Sequence, residues 1–447
     1  MTNASLQDIL LAREQRVAKQ KELLSKFNRP LVSFTMNIAG PVKTSALIER
    51  GFREGLKQLE TLGSAILAKE ILCKNTGCEG YFAVDMDANA LKAFCVKIEE
   101  ATPLGRLFDM DVLDADGNKL DRQGQRGCIV CGAPGRGCAA GRVHSVPELQ
   151  STTNKILQEH FLLADRERIA DLAVESLLDE VHITPKPGLV DRRNTGSHTD
   201  MDLNTFTASA KALRPYFTSC VAIGQDTATK PAEETFQLLR QAGLEAEKAM
   251  YKATNGVNTH KGALYTLGIL CGSIGRLWTA ESPIAAPTLL LKECATVGQA
   301  AMADFSKMDG STAGQKLYLQ KGLRGIRGEV ADGLPSVANV ALPALEEGIA
   351  KGLSFNDAAA CALIQLIAQV EDSNLYHRGG EDGAAFAKEC AKALGAFPTI
   401  PQIEAMDDAF IARNLSPGGC ADLLATTCFL HSIIEEGNSM VASQTRY

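Results

Sequence analysis

Hydrophobic and polar positions follow two different patterns along this chain of 447 residues. In the first part, short apolar runs that stop at turn residues predict strands from Leu31 to Ala39 and from Gly80 to Ala88. A helical pattern lies between them, from Ser45 to Leu62. The N-terminal stretch has early charges and no uninterrupted apolar run, so it predicts an amphipathic helix and not a secretory signal. Together these patterns predict an α+β domain.

The pattern changes after Asp165, which is placed where it would cap a helix. Apolar residues then recur at the spacing of one helix face, first at Ile169, Leu172, Ala173 and Leu177. Ala-rich helical stretches continue to the end with almost no alternating pattern. The uncharged run from Gly262 to Gly275 is too short to cross a bilayer and predicts a buried core helix. The second part is therefore predicted to be all-α.

The join between the two parts is predicted to be a continuous helix. The segment from His144 to Leu163 holds no linker rich in Pro, Gly or Ser. We place the first domain at residues 1–155 and the second at residues 156–447. The predicted fold class is thus two domains, the N-terminal one α+β and the C-terminal one all-α.

One further strand, in the stretch from Gly105 to Gly117, carries two carboxylates. Asp109 and Asp111 are two residues apart, so a strand would present both on one face, with Met110 and Val112 on the other. The Asp116-Gly117 pair predicts a turn that closes the strand. Carboxylates in this arrangement suit Mg²⁺ and a triphosphate. The alternative is a solvent-facing strand whose acids only aid solubility.

A cysteine cluster follows, with the spacing C-x2-C-x6-C-x5-H. Three thiolates and an imidazole could complete a tetrahedral Zn²⁺ site. The second C-x2-C pair of a zinc ribbon is missing, so free thiols beside a basic, phosphate-binding loop are an equal alternative. The four candidate ligands are Cys128, Cys131, Cys138 and His144, and the basic residues of the loop are Arg126, Arg136 and Arg142.

The predicted helical domain concentrates its polar residues in a few segments. Three of them, from Pro185 to Asp202, from Gly256 to Gly262 and from Glu371 to Gly380, combine Asn, His and Gly with charged residues. In a fourth, Gly418 and Gly419 stand where a helix should begin, and glycine amides there could cradle phosphate. Such residues suit Mg²⁺-nucleotide binding with acid–base assistance. The candidates are Lys186, Asp191, His198, Asp200, Asp202, His260, Lys261, Glu371, Asp372, Asn374, His377 and Arg378.

Composition and missing motifs narrow the choice of function. The net charge of −7 and the pI near 5.7 argue against a nucleic-acid duplex as partner. Thirteen cysteines without a secretory context predict mostly reduced thiols in the cytoplasm, away from any membrane. The sequence lacks G-x-S-x-G, a G-x-G-x-x-G opening a βαβ unit, and G-x-x-x-x-G-K-[ST]. Serine hydrolases, dinucleotide enzymes and P-loop NTPases are therefore disfavoured.

Longer motifs resemble two known families. VSFTMNIAGPVK, GRLFDMDVLDADG and the cysteine cluster resemble the apo-citrate lyase phosphoribosyl-dephospho-CoA transferase family, across nearly all of the first half. TPKPGLVDRRNTGSHTDMD, GVNTHKGA and EDSNLYHRGG resemble the triphosphoribosyl-dephospho-CoA synthase family, across nearly all of the second. The whole chain resembles a fusion of the two.

The resemblance implies two reactions in series. The second half would join ATP to 3′-dephospho-CoA with release of adenine, using His198, His260, Asp372 and His377 as candidate acids and bases. The first half would attach the product to a serine of the acyl carrier subunit of citrate lyase, with release of pyrophosphate. There Asp109 and Asp111 match the D-x-D of a family similar to nucleotidyltransferases, which implies a nucleotidyltransferase-like fold.

The implied cofactors and ligands follow from the same resemblance. Mg²⁺ is expected at Asp109 and Asp111 and, in the second half, at Asp200 and Asp202. Substrate would be bound in the first half by Lys43 and Arg106, and in the second half by Lys186, Asp191, Lys261, Asn374, Arg378, Gly418 and Gly419. The citrate lyase system implies a bacterial cytoplasmic protein. Two other functions stay open: a metal-dependent hydrolase of ADP-ribose-type substrates, and a non-catalytic chaperone of the carrier protein.

Overall fold

The chain passes from one folded unit to another within a long helix. The computed structural model describes residues 3–307, 309–310 and 313–445. The first unit holds the chain up to Ala164 together with the C-terminal residues from Met440, and the second holds Asp165–Ser439. Helix α5, Val146–His182, is continuous through this boundary, as the absence of a linker predicts. The prediction that Asp165 caps a helix is wrong, because it lies inside α5 and accepts a hydrogen bond from Trp278 Nε1 at 2.8 Å.

An antiparallel sheet forms the centre of the first unit. Its strands stand in the order β2-β3-β1-β4, and every neighbouring pair is antiparallel. The two strands predicted from apolar runs are present but end three or four residues earlier, and β2 was not predicted. The strands are β1 (Leu31–Met36), β2 (Ile66–Lys74), β3 (Gly77–Val84) and β4 (Phe108–Leu113).

Four helices accompany this sheet before α5. Phe34 of β1 stacks on Phe52 of α2 with ring centroids 4.7 Å apart, and Phe108 of β4 meets Phe34 edge-on. This aromatic contact joins helix to sheet, because stacked and edge-on rings bury large apolar area in a fixed geometry. The helices are α1 (Leu6–Phe27), α2 (Ala46–Glu60), α3 (Ala88–Ala101) and α4 (Gly135–Ala140).

Strand β4 presents its side chains as the alternating pattern predicts. Met110 and Val112 are fully buried, whereas Asp109 is exposed and Asp111 is half-buried on the other face. The strand starts later than Gly105, because Leu104–Leu107 form a 3₁₀ turn. A turn follows Leu113, with Gly117 at φ 86° and its N–H donating to the Asp114 carbonyl at 3.0 Å.

Every regular element described in the second unit is a helix, which confirms the all-α prediction. The predicted core helix from Gly262 to Gly275 is α8, with two more residues at its end and one at its start. Beyond α5, the helices are α6 (Leu203–Asp226), α7 (Ala232–Ala253), α8 (Lys261–Leu277), α9 (Pro287–Gly298), α10 (Ala313–Lys321), α11 (Gly325–Ala331), α12 (Leu342–Ala350), α13 (Phe355–Gln369), α14 (Ser373–Leu394), α15 (Ile400–Ala412) and α16 (Gly418–Thr445).

Close helix packing in the second unit depends on glycine. A Cβ added at Gly224 of α6 would lie 2.0 Å from the Gly272 carbonyl oxygen of α8, and one at Gly275 would lie 2.2 Å from the Val221 carbonyl oxygen. Because no side chain fits at either position, the two backbones approach each other directly. The same helices start beside the polar segments, so this contact fixes where those segments lie.

The thiols are mostly reduced. Cys73 and Cys78 form a disulfide between β2 and β3, and the other eleven cysteines are free. Among the described helices, none has the length and apolar content needed to cross a bilayer.

Candidate functional sites

A cavity of about 880 Å³ in the first unit brings together the two carboxylates of β4 and the cysteine loop. Cations from several segments line it. They are Lys92, Arg106, Lys119, Arg122, Arg126, Arg136 and Arg142. The cavity wall therefore holds seven cations and four carboxylates, those of Glu99, Asp109, Asp111 and Asp121, and this excess of positive charge suits a polyanionic ligand.

The two carboxylates differ in their partners. Asp111 forms an ion pair with Lys119, in which Nζ lies 2.7 Å from Oδ2. None of the described residues donates a hydrogen bond to Asp109, whose side chain is open to the cavity. Partial desolvation raises the pKa of Asp109, and the neighbouring Asp111 carboxylate raises it further, while Lys119 and Arg126 oppose the change. Two adjacent carboxylates, one of them without a donor among the described residues, offer oxygen atoms of the kind that Mg²⁺ prefers.

A buried glutamate holds the strand and the basic wall in place. Glu99 of α3 is 4% exposed and accepts a hydrogen bond from the Met110 N–H at 2.8 Å. Its carboxylate also lies 3.5 Å from Arg122 and 3.8 Å from Arg126. Desolvation raises the pKa of Glu99, and the Met110 hydrogen bond and the cations lower it. Sequence reasoning missed Glu99, Lys92, Lys119 and Arg122 because helix and turn charges usually face solvent.

The two predicted substrate-binding cations of this unit have different positions. Arg106 lines the cavity, and its guanidinium donates to the Gly127 carbonyl oxygen at 2.5 Å. Lys43 is absent from the cavity wall and donates to the Ile38 carbonyl oxygen at 2.5 Å. Burial lowers the pKa of Lys43, with Arg13 adding to the effect. The structure therefore gives Arg106 access to a ligand in the cavity and gives Lys43 a backbone partner outside it.

The four predicted zinc ligands are neighbours in space. Their potential ligand atoms all lie within 4.8 Å of one another, and no other group of three or more candidate metal-binding side chains is found among the described residues. Cys128, Cys138 and His144 also line the cavity. The cysteine loop thus belongs to the same site as Asp109 and Asp111.

In the second unit, a buried ion pair lies where α5 ends. Glu180 is 4% exposed and Lys186 is 1% exposed. The Lys186 ammonium donates to the Glu180 carbonyl oxygen at 2.7 Å and to its carboxylate. Desolvation raises the pKa of Glu180, and Lys186 opposes this shift. Loss of either partner would leave an uncompensated buried charge, which is strongly destabilising.

His260 is buried at the start of α8. Its Nδ1 lies 2.7 Å from the Ser209 hydroxyl, which in turn accepts a hydrogen bond from the Thr259 hydroxyl. Because the Ser209 oxygen already accepts from Thr259, its own hydroxyl proton points to Nδ1. Nδ1 is then the acceptor, and the ring proton is assigned to Nε2. Nε2 has no hydrogen-bond partner among the described residues. Burial, with nearby Lys186, lowers the pKa of His260 to about 3, so the ring is neutral.

Asp422, near the start of α16, faces the start of α8. Its Oδ1 accepts a hydrogen bond from the Ala263 N–H at 2.8 Å, and a Cβ added at Gly262 would lie 2.0 Å from its Oδ2. Burial raises the pKa of Asp422 well above its ordinary value, and the Glu180 and Asp372 carboxylates add to this. Sequence reasoning missed Asp422, although an acid in the first turns of an apolar helix next to Gly418 and Gly419 was an available signal.

Asp372 holds two helix starts together. It caps α14, where its Oδ1 accepts hydrogen bonds from the N–H groups of Asn374 and Leu375 at 2.7 and 3.3 Å. Its Oδ2 accepts one from the Cys420 N–H of α16 at 2.8 Å. Desolvation raises the pKa of Asp372, which is 2% exposed, and these hydrogen bonds lower it. Both oxygen atoms of the Asp372 carboxylate thus accept hydrogen bonds from backbone N–H groups, which is the arrangement of a helix cap.

His198 joins a second polar group beside α16. Its Nε2 lies 2.9 Å from the Ser416 hydroxyl and its Nδ1 lies 3.1 Å from a guanidinium nitrogen of Arg378. Arg378 can only donate, so Nδ1 accepts and Nε2 carries the proton. Burial, with the Arg378 charge, lowers the pKa of His198 to about 4. Arg378 also donates to Asn414 Oδ1 and the Ser197 carbonyl oxygen, which orders the segment before α16.

The remaining predicted residues of the second unit either accept hydrogen bonds from the backbone or face solvent. Asp191 is buried and accepts hydrogen bonds from the N–H groups of Lys186, Arg193 and Asn194, so it shapes the loop. Asp202 caps α6, and Asp200 is 61% exposed. His377 and Glu371 are exposed, and Glu371 pairs with Lys388.

Side chains of Asn374 and Asp372 lie close to the first two residues of α16. Added Cβ atoms at Gly418 and Gly419 would lie 2.7 Å from Asn374 Nδ2 and 3.0 Å from Asp372 Oδ2. These glycines are therefore needed for close approach of side chains of the same unit. Lys261 lines a separate cavity of about 230 Å³ and pairs with Glu247 at 2.9 Å.

The sequence matches two known protein families, one in each half of the chain. Residues 166–440 match the family described as ATP:dephospho-CoA triphosphoribosyl transferase, and residues 4–160 match apo-citrate lyase phosphoribosyl-dephospho-CoA transferase. The chain is 36% identical to the protein CitXG of Haemophilus influenzae over 96% of both chains. It is 31% identical to the protein CitXG of Leuconostoc mesenteroides subsp. cremoris, over 96% of this chain and 97% of that one.

A relative of the second half alone is also similar. The 2-(5''-triphosphoribosyl)-3'-dephosphocoenzyme-A synthase of Haemophilus ducreyi is 37% identical, over 68% of this chain and 99% of its own length. The two halves therefore define a chain that combines two transferases. The chain belongs to the CitXG family, and the resemblance seen in the sequence motifs is confirmed.

Proposed function

We propose that the chain makes and attaches the prosthetic group of citrate lyase in the cytoplasm. The second unit would join ATP to 3′-dephospho-CoA with release of adenine. The first unit would attach the triphosphoribosyl-dephospho-CoA product to a serine of the acyl carrier subunit with release of pyrophosphate. The observation that carries this proposal is the presence of a separate polar centre in each unit, each within the range matched by one transferase family.

The centre of the first unit suits attack at a phosphate. Its cavity has room for a triphosphate ester, and cations from the 3₁₀ turn, β4 turn and cysteine loop surround the carboxylates. We propose nucleotidyltransferase-like chemistry, with Asp109 and Asp111 holding Mg²⁺, since no described residue donates a hydrogen bond to Asp109. Bound Mg²⁺ would neutralise the charge that develops on the leaving pyrophosphate. Displacement of Lys119 from Asp111 would leave its ammonium free to bind a phosphate oxygen.

The centre of the second unit suits transfer of a proton. Displacement of adenine by a ribose hydroxyl needs a base for the hydroxyl and a donor for the purine. We propose Asp422 as the base. Its pKa is raised, as are those of Glu180 and Asp372, but Asp422 is half-buried whereas the other two are buried. A carboxylate with a raised pKa is a stronger base.

His260 would supply the hydrogen bond to the departing purine. Its neutral ring carries a proton on Nε2 that no described residue accepts, and a neutral imidazole can polarise a developing charge in this way. Lys186, held by Glu180, would place a fixed positive charge near the triphosphate. Asp372 and Arg378 would act as positioning residues, since both hold the segment that leads into α16.

Two separate assays on the intact chain test the proposal. Adenine release from ATP should require 3′-dephospho-CoA, and attachment to the carrier subunit should proceed when triphosphoribosyl-dephospho-CoA is supplied. Adenine or ribose phosphate release without dephospho-CoA would instead indicate the hydrolase. Absence of any adenine release would leave the chaperone function. Either of these outcomes contradicts the proposal.

A further inference from the structure

We propose that the cysteine loop binds one Zn²⁺ through Cys128, Cys131, Cys138 and His144, and that this ion fixes the basic wall of the first-unit cavity. The ion would be structural, because four protein ligands leave no open position for a reacting group.

The distances between the ligand atoms favour a closed site. All four lie within 4.8 Å of one another, and the sulfur atoms of Cys131 and Cys138 are 3.5 Å apart. In a tetrahedral zinc site, bonds of about 2.0–2.3 Å place the ligand atoms roughly 3.3–3.8 Å from each other. Side-chain rotations that move these atoms by about 1 Å would therefore bring them to bonding positions.

The backbone between the first two cysteines is already folded as a chelating turn. Cys128 and Gly132 form a tight turn, in which the Gly132 N–H donates to the Cys128 carbonyl oxygen at 3.0 Å. The Cys128 N–H donates to the Ala133 carbonyl oxygen at 2.6 Å, and the Val130 N–H lies 3.4 Å from Cys128 Sγ. Gly132 adopts φ 74°, which the turn requires. Backbone N–H groups directed at a sulfur stabilise a thiolate, the form that binds metal.

The histidine has the surroundings of a metal ligand. His144 Nδ1 lies 3.2 Å from Glu148 Oε1, while its Nε2 is buried and has no hydrogen-bond partner among the described residues. Metal-bound histidines commonly donate their other ring N–H to a carboxylate, which fixes the ring and the tautomer. A buried imidazole nitrogen without a partner is costly unless something binds it. Zn²⁺ at the three thiolates would satisfy it.

Glu99 already holds Arg122 and Arg126 of the loop, but no such ion pair holds Arg136 or Arg142 among the described residues. Between the β4 turn and α5 the regular structure of the loop is limited to the six residues of α4. This segment nevertheless contributes Arg122, Arg126, Arg136 and Arg142 to the cavity wall. A metal that links the loop at four points would order Arg136 and Arg142 before a ligand arrives, which lowers the entropic cost of binding.

Metal analysis of the intact chain tests this proposal directly. After washing with a mild chelator, we expect about one zinc per chain, and Co²⁺ substitution should give the visible absorption of a tetrahedral thiolate site. Cys131→Ser and His144→Ala should lower the metal content and weaken the Co²⁺ spectrum, whereas Cys390→Ser, a free cysteine of the second unit, should change neither. No stoichiometric metal and no Co²⁺ uptake would overturn the proposal, as would a Cys131–Cys138 disulfide found by mass spectrometry in freshly purified protein.

The functional part of the inference rests on the proposed transferase activity and has its own readout. Cys131→Ser should reduce carrier attachment at least about tenfold while leaving adenine release unchanged, because only the first unit contains the loop. If the variant loses zinc but attaches the prosthetic group normally, the ion does not fix the cavity wall. If the wild-type chain binds zinc but shows no attachment, the metal site stands and the proposed function fails.

Discussion

The two units of this chain use carboxylates in opposite ways. In the first, Asp109 and Asp111 lie on the open face of an edge strand, beside a cavity lined with cations. In the second, Glu180, Asp372 and Asp422 are desolvated. Glu180 pairs with the Lys186 ammonium, and the other two accept hydrogen bonds from backbone N–H groups. Open carboxylates suit the binding of a metal ion that neutralises a polyphosphate, whereas a desolvated carboxylate with a raised pKa suits proton transfer. This difference supports the proposal that each unit carries out a different chemistry.

The largest effect is expected where the open carboxylates are removed. Asp109→Asn should lower carrier attachment about 10³-fold or more, because a lost metal ligand removes several kcal/mol of charge stabilisation. Adenine release should remain unchanged. Attachment of supplied triphosphoribosyl-dephospho-CoA measures the effect. Asp116→Asn is the matched control, because Asp116 lies in the adjacent turn and outside the cavity wall. Retention of more than about a tenth of wild-type attachment would make Asp109 a structural residue.

The reciprocal change in the second unit should have a somewhat smaller effect. Asp422→Asn removes the proposed base and should slow adenine release by about 10²–10⁴-fold, the usual range for general base catalysis. Carrier attachment of supplied product should be spared. Asp226→Asn, which changes an exposed acid at the far end of α6 in the same unit, should have no effect on adenine release. Equal rates for Asp422→Asn and wild type would exclude Asp422 as the base.

Loss of a buried helix cap should affect stability as well as rate. Asp372→Asn keeps the shape of the side chain but removes the charge that accepts hydrogen bonds at the starts of α14 and α16. We expect the second unit to lose about 1–3 kcal/mol of stability. Trp278 is the single tryptophan and lies in this unit, so its fluorescence in urea reports the change. An unchanged transition together with lost adenine release would contradict the structural role and favour a catalytic one.

The smallest effect concerns pH. The pKa of His198 is lowered to about 4 in the folded chain, against an ordinary value of 6.5. Below pH 6.5 the unfolded state binds a proton that the folded state does not, so stability should fall as pH drops from about 6.5 toward 4. Trp278 fluorescence during urea unfolding at several pH values measures this slope. His198→Gln should reduce the slope and leave the part that comes from His260, whose pKa is lowered to about 3, whereas His377→Gln, an exposed control, should leave the slope unchanged. Identical slopes for His198→Gln and the wild-type chain would contradict the lowered pKa of His198.

Much of the fold could be predicted because the patterns were local. Period-two alternation placed Asp109 and Asp111 on one face, and long helical periodicity predicted α8 almost to its ends. Strand β2 was missed because it is a sheet edge with no buried residue, so its alternation mixes half-buried and exposed positions. The cap at Asp165 was wrong because the helix begins earlier and Asp165 bonds to Trp278, a partner far away in sequence.

The candidate sites were predictable in their outline but not in their roles. The sequence gathers Asn, His and Gly in segments that lie at the starts of α8, α14 and α16, yet it cannot show that the carboxylates of Asp372 and Asp191 accept hydrogen bonds from backbone N–H groups. Nor does it show that Glu180 neutralises Lys186 or that Asp422 faces the start of α8. The contact of Asp422 with Ala263 joins distant segments, and the local hydrogen bonds depend on the conformation of caps and loops, so burial and electrostatics are known only after folding.

The central claim is that two independent centres act in series, and a mixing experiment tests it most directly. Chains carrying Asp109→Asn or Asp422→Asn should each fail to form holo-carrier from ATP and 3′-dephospho-CoA. The first would still make the intermediate and the second would still attach it, so a mixture of the two should restore holo-carrier formation. If both variants fold and the mixture stays inactive although the intermediate accumulates, or if either variant loses both partial reactions, the claim of two separate centres is contradicted.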